Sequence, residues 1–134
     1  MKICIFWHRR DLRIHDNAGL AAALASGLPV VPLFIYDKDI LDHLPEKADS
    51  RLTYIFDEVE RLARETEAAG GTFLARYGKP LDVLATLIKD FDVAAVHTNE
   101  DYEPYATERD AAVGELLRQH GVDFLLYKDQ VVFC

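Results

Sequence analysis

Five short apolar runs, at residues 3–6, 30–36, 72–77, 93–98 and 122–126, recur along the chain with a segment of helical character between each pair. The first, Ile3-Cys4-Ile5-Phe6, is too short and too uniformly apolar for a half-exposed strand, and reads as a central strand covered on both faces. Strands alternating with helices predict a parallel sheet joined by right-handed crossovers. The fold class expected is therefore α/β: a doubly wound five-stranded parallel sheet, Rossmann-like or flavodoxin-like, in the order 3-2-1-4-5. In that order the connections after strands one and four leave to opposite faces of the sheet. The loops that follow them then wall one crevice at the carboxyl edge, where ligands bind in open α/β sheets.

The intervening segments carry helix signals. Asp16 or Asn17 caps the first helix, with Leu20, Ala21 and Leu24 on one side and Gly27 as the stop. Pro32 inside the second apolar run favours an edge or a strand start, because it removes a ladder donor. Ile40, Leu41 and Leu44 precede Pro45 in a loop or a single helical turn. A long helix runs from Asp49 or Ser50 to about residue 69, with Leu52, Ile55, Phe56, Val59, Leu62 and Ala63 at helical spacing. Asp57/Arg61 and Glu60/Arg64 form i, i+4 pairs on its outer side, and Gly70-Gly71 ends it. Pro80 opens a helix that turns Leu81, Leu84, Ala85 and Ile88 inward, and Pro104 opens another through Val113, Leu116 and Leu117 to Gly121.

A chain of 134 residues, half of them hydrophobic, is one domain with a real core. Its net charge of −8, from 15 basic and 23 acidic residues, argues against direct nucleic-acid contact by this piece, since phosphate affinity comes from lysine and arginine displacing counterions. Two cysteines, Cys4 in an apolar strand and Cys134 at the end, indicate neither a disulfide framework nor a metal cluster, so a reducing, cytoplasmic setting is the default. No signal peptide and no membrane-spanning run are visible. The apolar finish, Val131-Val132-Phe133-Cys134, implies a natural continuation that packs on this domain.

Around the expected crevice stand Arg9, Arg10, Asp37, Asn99, Glu100, Asp101, Glu103 and Glu108. No glycine-rich phosphate loop follows the first strand, so mixed cations and carboxylates point to a heteroaromatic ligand that offers both donors and acceptors. The bland alternative is a structural ion-pair network that ties Arg9, Asp11, Arg13 and Asp37 together. Trp7, continuing an apolar strand, reads as core packing before ring stacking. The five histidines lack zinc-ligand spacing, and no nucleophile sits beside a base, so no self-sufficient catalysis is expected.

Two stretches carry a resemblance. WHRRDLRIHDN, residues 7–17, resembles the N-terminal signature W-[FH]-R-x-D-L-R-x-x-D-N of the photolyase/cryptochrome family, and NEDYEPY, residues 99–105, is similar to that family's N-x-D-x-E-P-Y segment. The resemblance spans the chain but only the family's N-terminal third. It implies an antenna-binding α/β domain of a deoxyribodipyrimidine photolyase. The partner it implies is a C-terminal helical domain of the same parent chain, which holds FAD and repairs pyrimidine dimers by light-driven electron transfer. The isolated fragment would be inactive. The implied antenna is a methenyltetrahydrofolate, a deazaflavin or a flavin. Arg10, Asp37, Asp101 and Glu103 match the deazaflavin-type pocket, with Ile35, Ile40 and Leu41 as its apolar wall. Folate-type members use an Asn-Glu pair where this chain has Thr107-Glu108. A cryptochrome-type photoreceptor domain and a stand-alone nucleotide-binding α/β module are the alternatives.

Overall fold

The computed structural model describes residues 1–9, 17–41, 49–101 and 104–128. Strands β1 (Ile3–His8), β2 (Val30–Asp37), β3 (Leu74–Gly78), β4 (Val93–Asn99) and β5 (Asp123–Tyr127) form one parallel sheet in the order β3-β2-β1-β4-β5. This is the topology the alternation of elements predicts. β1 is buried along its whole length, as a central strand between two helical layers must be. Pro32 lies inside β2 rather than at a strand start. Pairing with β3 begins only at Leu33, so the proline falls beyond that ladder, where its missing N–H costs no bond to β3.

Helices α4 (Pro80–Asp90) and α5 (Pro104–Gln119) cover one face of the sheet. Their Leu84, Leu87, Val113 and Leu117 pack with Ile3, Ile5, Trp7, Leu33, Ile35, Val93 and Val96 in the main core. On the opposite face Phe6 packs with Leu20 and Ala23 of α1 (Ala18–Ala25). Tyr36, which alternates away from Ile35, lies 6.3 Å from Phe56 of α3 (Asp49–Ala68), placing α3 beside α1. A single turn, α2 (Lys38–Leu41), follows β2 directly. Between β1 and β4 the register slips by one residue: Ile3 is opposite Val93, but Cys4 is opposite Ala95. Val93 and Val96, three positions apart, therefore both enter the main core.

The inward faces of the helices differ in places from the spacing argument. In α1 it is Leu20 and Ala23 that are buried, while Leu24 is 61% exposed. The cause is Gly19. A Cβ there would meet Asn99 Oδ1 at 2.7 Å and the Phe6 ring at 2.8 Å, so the helix lies on its Gly19-Ala23 ridge, closer than a leucine ridge allows. In α3, Val59 and Leu62 are buried whereas Leu52 and Phe56 are exposed; the apolar stripe is wider than the face the sheet covers. Arg61 pairs with Glu58 and Glu65 rather than with Asp57, the longer glutamates reaching it from three and four residues away. In α4, Leu84 and Leu87 face inward and Leu81 is exposed. Strands β3 and β5 start one or two residues later than their apolar runs.

Gly19→Ala is expected to lower the melting temperature by several degrees. Alanine would gain about 1 kcal/mol of helix propensity, but overpacking against two buried side chains costs about 1–3 kcal/mol. A thermal melt that rises on this substitution would show that α1 can back away from the sheet freely.

Candidate functional site

At the carboxyl edge, polar side chains after β1 and at the end of β4 tie the strands to α1. Asn17 caps α1: its Oδ1 accepts from Leu20 N at 3.0 Å. Asn99, the last residue of β4, accepts from Gly19 N at 2.8 Å and donates to Asn17 Oδ1 at 2.7 Å. The last residue of the first motif and the first residue of the second are thus bonded to each other, both buried. Thr98 Oγ1 adds a bond to the Trp7 carbonyl at 2.8 Å. Two stretches far apart in sequence wall one place because β1 and β4 are neighbours.

On the α4/α5 side of that edge lies a charged cluster built on an aromatic base. The Trp7 indole is 2% exposed, with the Arg9 guanidinium 4.4 Å and the Arg109 guanidinium 5.1 Å from its ring. Arg109 Nη1 donates to Asp37 Oδ2 at 3.1 Å, and Asp37 Oδ1 accepts from Asp39 N at 3.0 Å, fixing the start of α2. Arg9 makes a two-pronged pair with Asp110, one arm at 2.9 Å. The four charges are nearly buried, with side-chain exposures of 5% to 12%. They form two crossed pairs that pin α5 to the ends of β1 and β2.

Asp110 also lines an open hollow of about 400 Å³ between the start of α5 and the ends of β4 and β5, together with Glu100, Asp101, Thr107, Ala111 and Leu126. Of the two acids expected near the ligand, Asp37 bonds Arg109 and Asp101 lines this hollow with Asp110. Glu108 is exposed on α5, Leu41 is half-buried at the end of α2, and Ile35 packs in the main core below Asp37. Arg10, Glu103 and the side chain of Ile40 lie outside the described residues, as do Asp11 and Arg13. The spacing argument missed Arg109 and Asp110. Ala106, Arg109, Asp110, Val113 and Leu117 share one helical face, so a charged pair on an otherwise apolar stripe was the available signal. Among the described residues no group of His, Cys, Asp and Glu is arranged to hold a metal ion, and no helix is long and apolar enough to cross a membrane.

A second polar pair lies further along the sheet. His97 Nδ1 and the Tyr127 hydroxyl are hydrogen-bonded at 2.9 Å, with the rings stacked at 5.7 Å. Burial pushes the imidazole below its ordinary value, so folding favours the neutral ring. That contribution to stability is complete above the unfolded value of about 6.5 and is lost as the pH falls towards the lowered one. Urea unfolding free energies are expected to decline on acidification through this window, and His97→Gln to flatten the decline. An unchanged slope in the variant would assign the effect to other groups.

Comparison with known proteins places these features in context. A family model described as DNA photolyase matches residues 4–134. The deoxyribodipyrimidine photo-lyase of Synechococcus sp. is 35% identical over 128 residues, covering 96% of this chain and 26% of that protein. The cryptochrome DASH of Gloeobacter violaceus is 32% identical over 115 residues, covering 81% of this chain and 23% of that protein. Among solved structures, an archaeal photolyase from Sulfolobus tokodaii aligns with a TM-score of 0.86 and 30% identity, covering 96% of this chain and 29% of its own. That structure is described as holding two FAD molecules, with the implication of a novel light-harvesting cofactor. The chain spans about a quarter of the length of these relatives.

Proposed function

This chain belongs to the DNA photolyase family, and we propose on that premise that it is the antenna-chromophore-binding domain of a deoxyribodipyrimidine photolyase. The parent protein would repair cyclobutane pyrimidine dimers with an electron from photoexcited FAD held in a separate helical domain. The observation that carries this reading is the joining of the two motifs at one end of the sheet. The two motifs, distant in sequence, are joined by the Asn17–Asn99 bond, and Arg9 of the first is held to Asp110 of α5 against the buried Trp7 indole. The similarity to a photolyase described with a light-harvesting cofactor supports it.

The chemistry of the described groups suits a flat heteroaromatic. Asp37 offers carboxylate lone pairs to ring N–H or amino donors, Arg109 offers N–H donors to ring oxygens, and Leu41 provides half-buried apolar surface beside them. Asp101 would accept from a second edge of the ligand; Arg10, Glu103, Ile35 and Ile40 complete the proposed set. When bound, the chromophore absorbs near-ultraviolet or blue light and passes excitation on without bond changes. The residues here bind it, orient it and exclude water. A deazaflavin or flavin fits this acid-rich set better than methenyltetrahydrofolate, because Thr107 replaces the asparagine of the folate pair beside Glu108. A cryptochrome-type photoreceptor is the second reading, favoured by the match to cryptochrome DASH.

Reconstitution tests the proposal. The purified chain, titrated separately with FMN, a deazaflavin and methenyltetrahydrofolate, is expected to bind one of the first two saturably, read by fluorescence polarisation and a shifted absorption band. Asp101→Asn should weaken that binding about tenfold through loss of one charge-assisted bond. Binding of none of the three would overturn the antenna reading, and binding of folate alone would reassign the pocket. Light-dependent loss of dimers by the full-length parent separates repair from signalling.

A further inference from the structure

A second hollow, of about 480 Å³, lies outside this crevice between the free edge of β3 and the flank of α4. Three elements each bring it one cation: Lys38 from α2, Arg76 from β3 and Lys79 from the turn into α4. Among the described residues the side chains of Lys38 and Lys79 have no hydrogen-bond or ion-pair partner, and Arg76 bonds only the Ala75 carbonyl. Placing charge on a sheet edge to discourage pairing accounts for Arg76. It does not account for Lys38 and Lys79, which are not on the edge. Lys79 also occupies the cap position of α4 without a side-chain cap bond, where a cation faces the positive end of the helix dipole. Convergent cations in a chain of net charge −8 are unexplained by folding.

The remainder of the lining is graded. Tyr77 is 58% exposed on the rim, Val83 and Leu87 form an apolar floor, and Asp82 and Asp90 supply acceptors along the helix. The volume lies within the range of small-ligand sites, which pair apolar walls with a few polar anchors. We propose that this hollow binds a phosphate-bearing, nucleotide-sized ligand. The phosphate meets Lys38, Arg76 and Lys79, the ring lies on Tyr77 and the Val83-Leu87 floor, and the acids take ring amino or sugar hydroxyl donors. This site is independent of the antenna reading, since it shares no lining residue with the crevice.

AMP is the probe, being a phosphate joined to a heteroaromatic ring, with adenosine and inorganic phosphate as separate arms. In an amide chemical-shift titration of the whole chain, AMP is expected to move the signals of residues 76–79 and 83–90 saturably. Arg76→Glu/Lys79→Glu, both exposed, should weaken AMP about tenfold or more without lowering the melting temperature. Adenosine should bind about tenfold more weakly than AMP, and phosphate alone should perturb only the cationic end. Absence of saturation, equal affinity for adenosine, undiminished binding by the double variant, or shifts centred on Trp7 and Asp37 would each overturn the proposal.

Discussion

Asp37→Ala is expected to lower the unfolding free energy by about 3–5 kcal/mol, the cost of leaving one partner of a buried ion pair without the other. Arg109 is held at 12% side-chain exposure against the Trp7 ring, and the loss of Asp37 Oδ2 removes a charge-assisted bond from that nearly buried place. The same substitution removes the acceptor for Asp39 N and loosens α2. Asp37→Leu/Arg109→Met is expected to recover most of the loss, because two apolar groups of similar volume need no compensation. Urea unfolding of the two single variants and the double variant makes the test. Additive losses would show that the pair is not coupled. If the antenna proposal holds, the double variant folds and yet fails to bind chromophore, which separates support of the fold from recognition.

Asn99→Ala should cost about 2–4 kcal/mol. Its amide holds both the Gly19 N–H and the Asn17 side chain, and alanine leaves a buried donor without an acceptor together with a small void. The loss should be concentrated at the start of α1, so hydrogen exchange of the Gly19 and Leu20 amides should accelerate more than that of the β1 amides. Asn17→Ala is expected to cost less. The double variant should cost less than the sum of the two, since both residues act on one network. Additivity would sink the idea of a shared clamp.

Much of this was legible in the sequence, for reasons that differ by element. β1 could be placed at the centre because the uniformly apolar run Ile3–Phe6 shows no alternation, and the strand is buried from Ile3 to His8. Five alternating strands with right-handed crossovers fit the flavodoxin-like order, and the sheet adopts it. The helix faces were less legible where a glycine, rather than a large side chain, makes the contact. Periodicity counts Leu24 as core, but the close approach at Gly19 turns the helix so that Ala23 takes that place. The nearness of the two motifs was legible, whereas the partners of the charged residues were not. Arg109 and Asp110 fall beyond the second motif, and which arginine meets which carboxylate depends on how deeply α5 sits against β1 and β2.

The one-residue slip at the foot of β4 bears on how the lineage can vary in length. Alternation along β4 is reset between Val93 and Ala95, so an added or missing residue before that point can be absorbed there. From Val96 to Asn99 it cannot. A single insertion would swing Asn99 away from α1 and send Thr98 to the wrong layer, severing both links between the two halves of the crevice. Gaps among related chains should therefore gather at or before Ala94 and be missing from the four residues that end the strand.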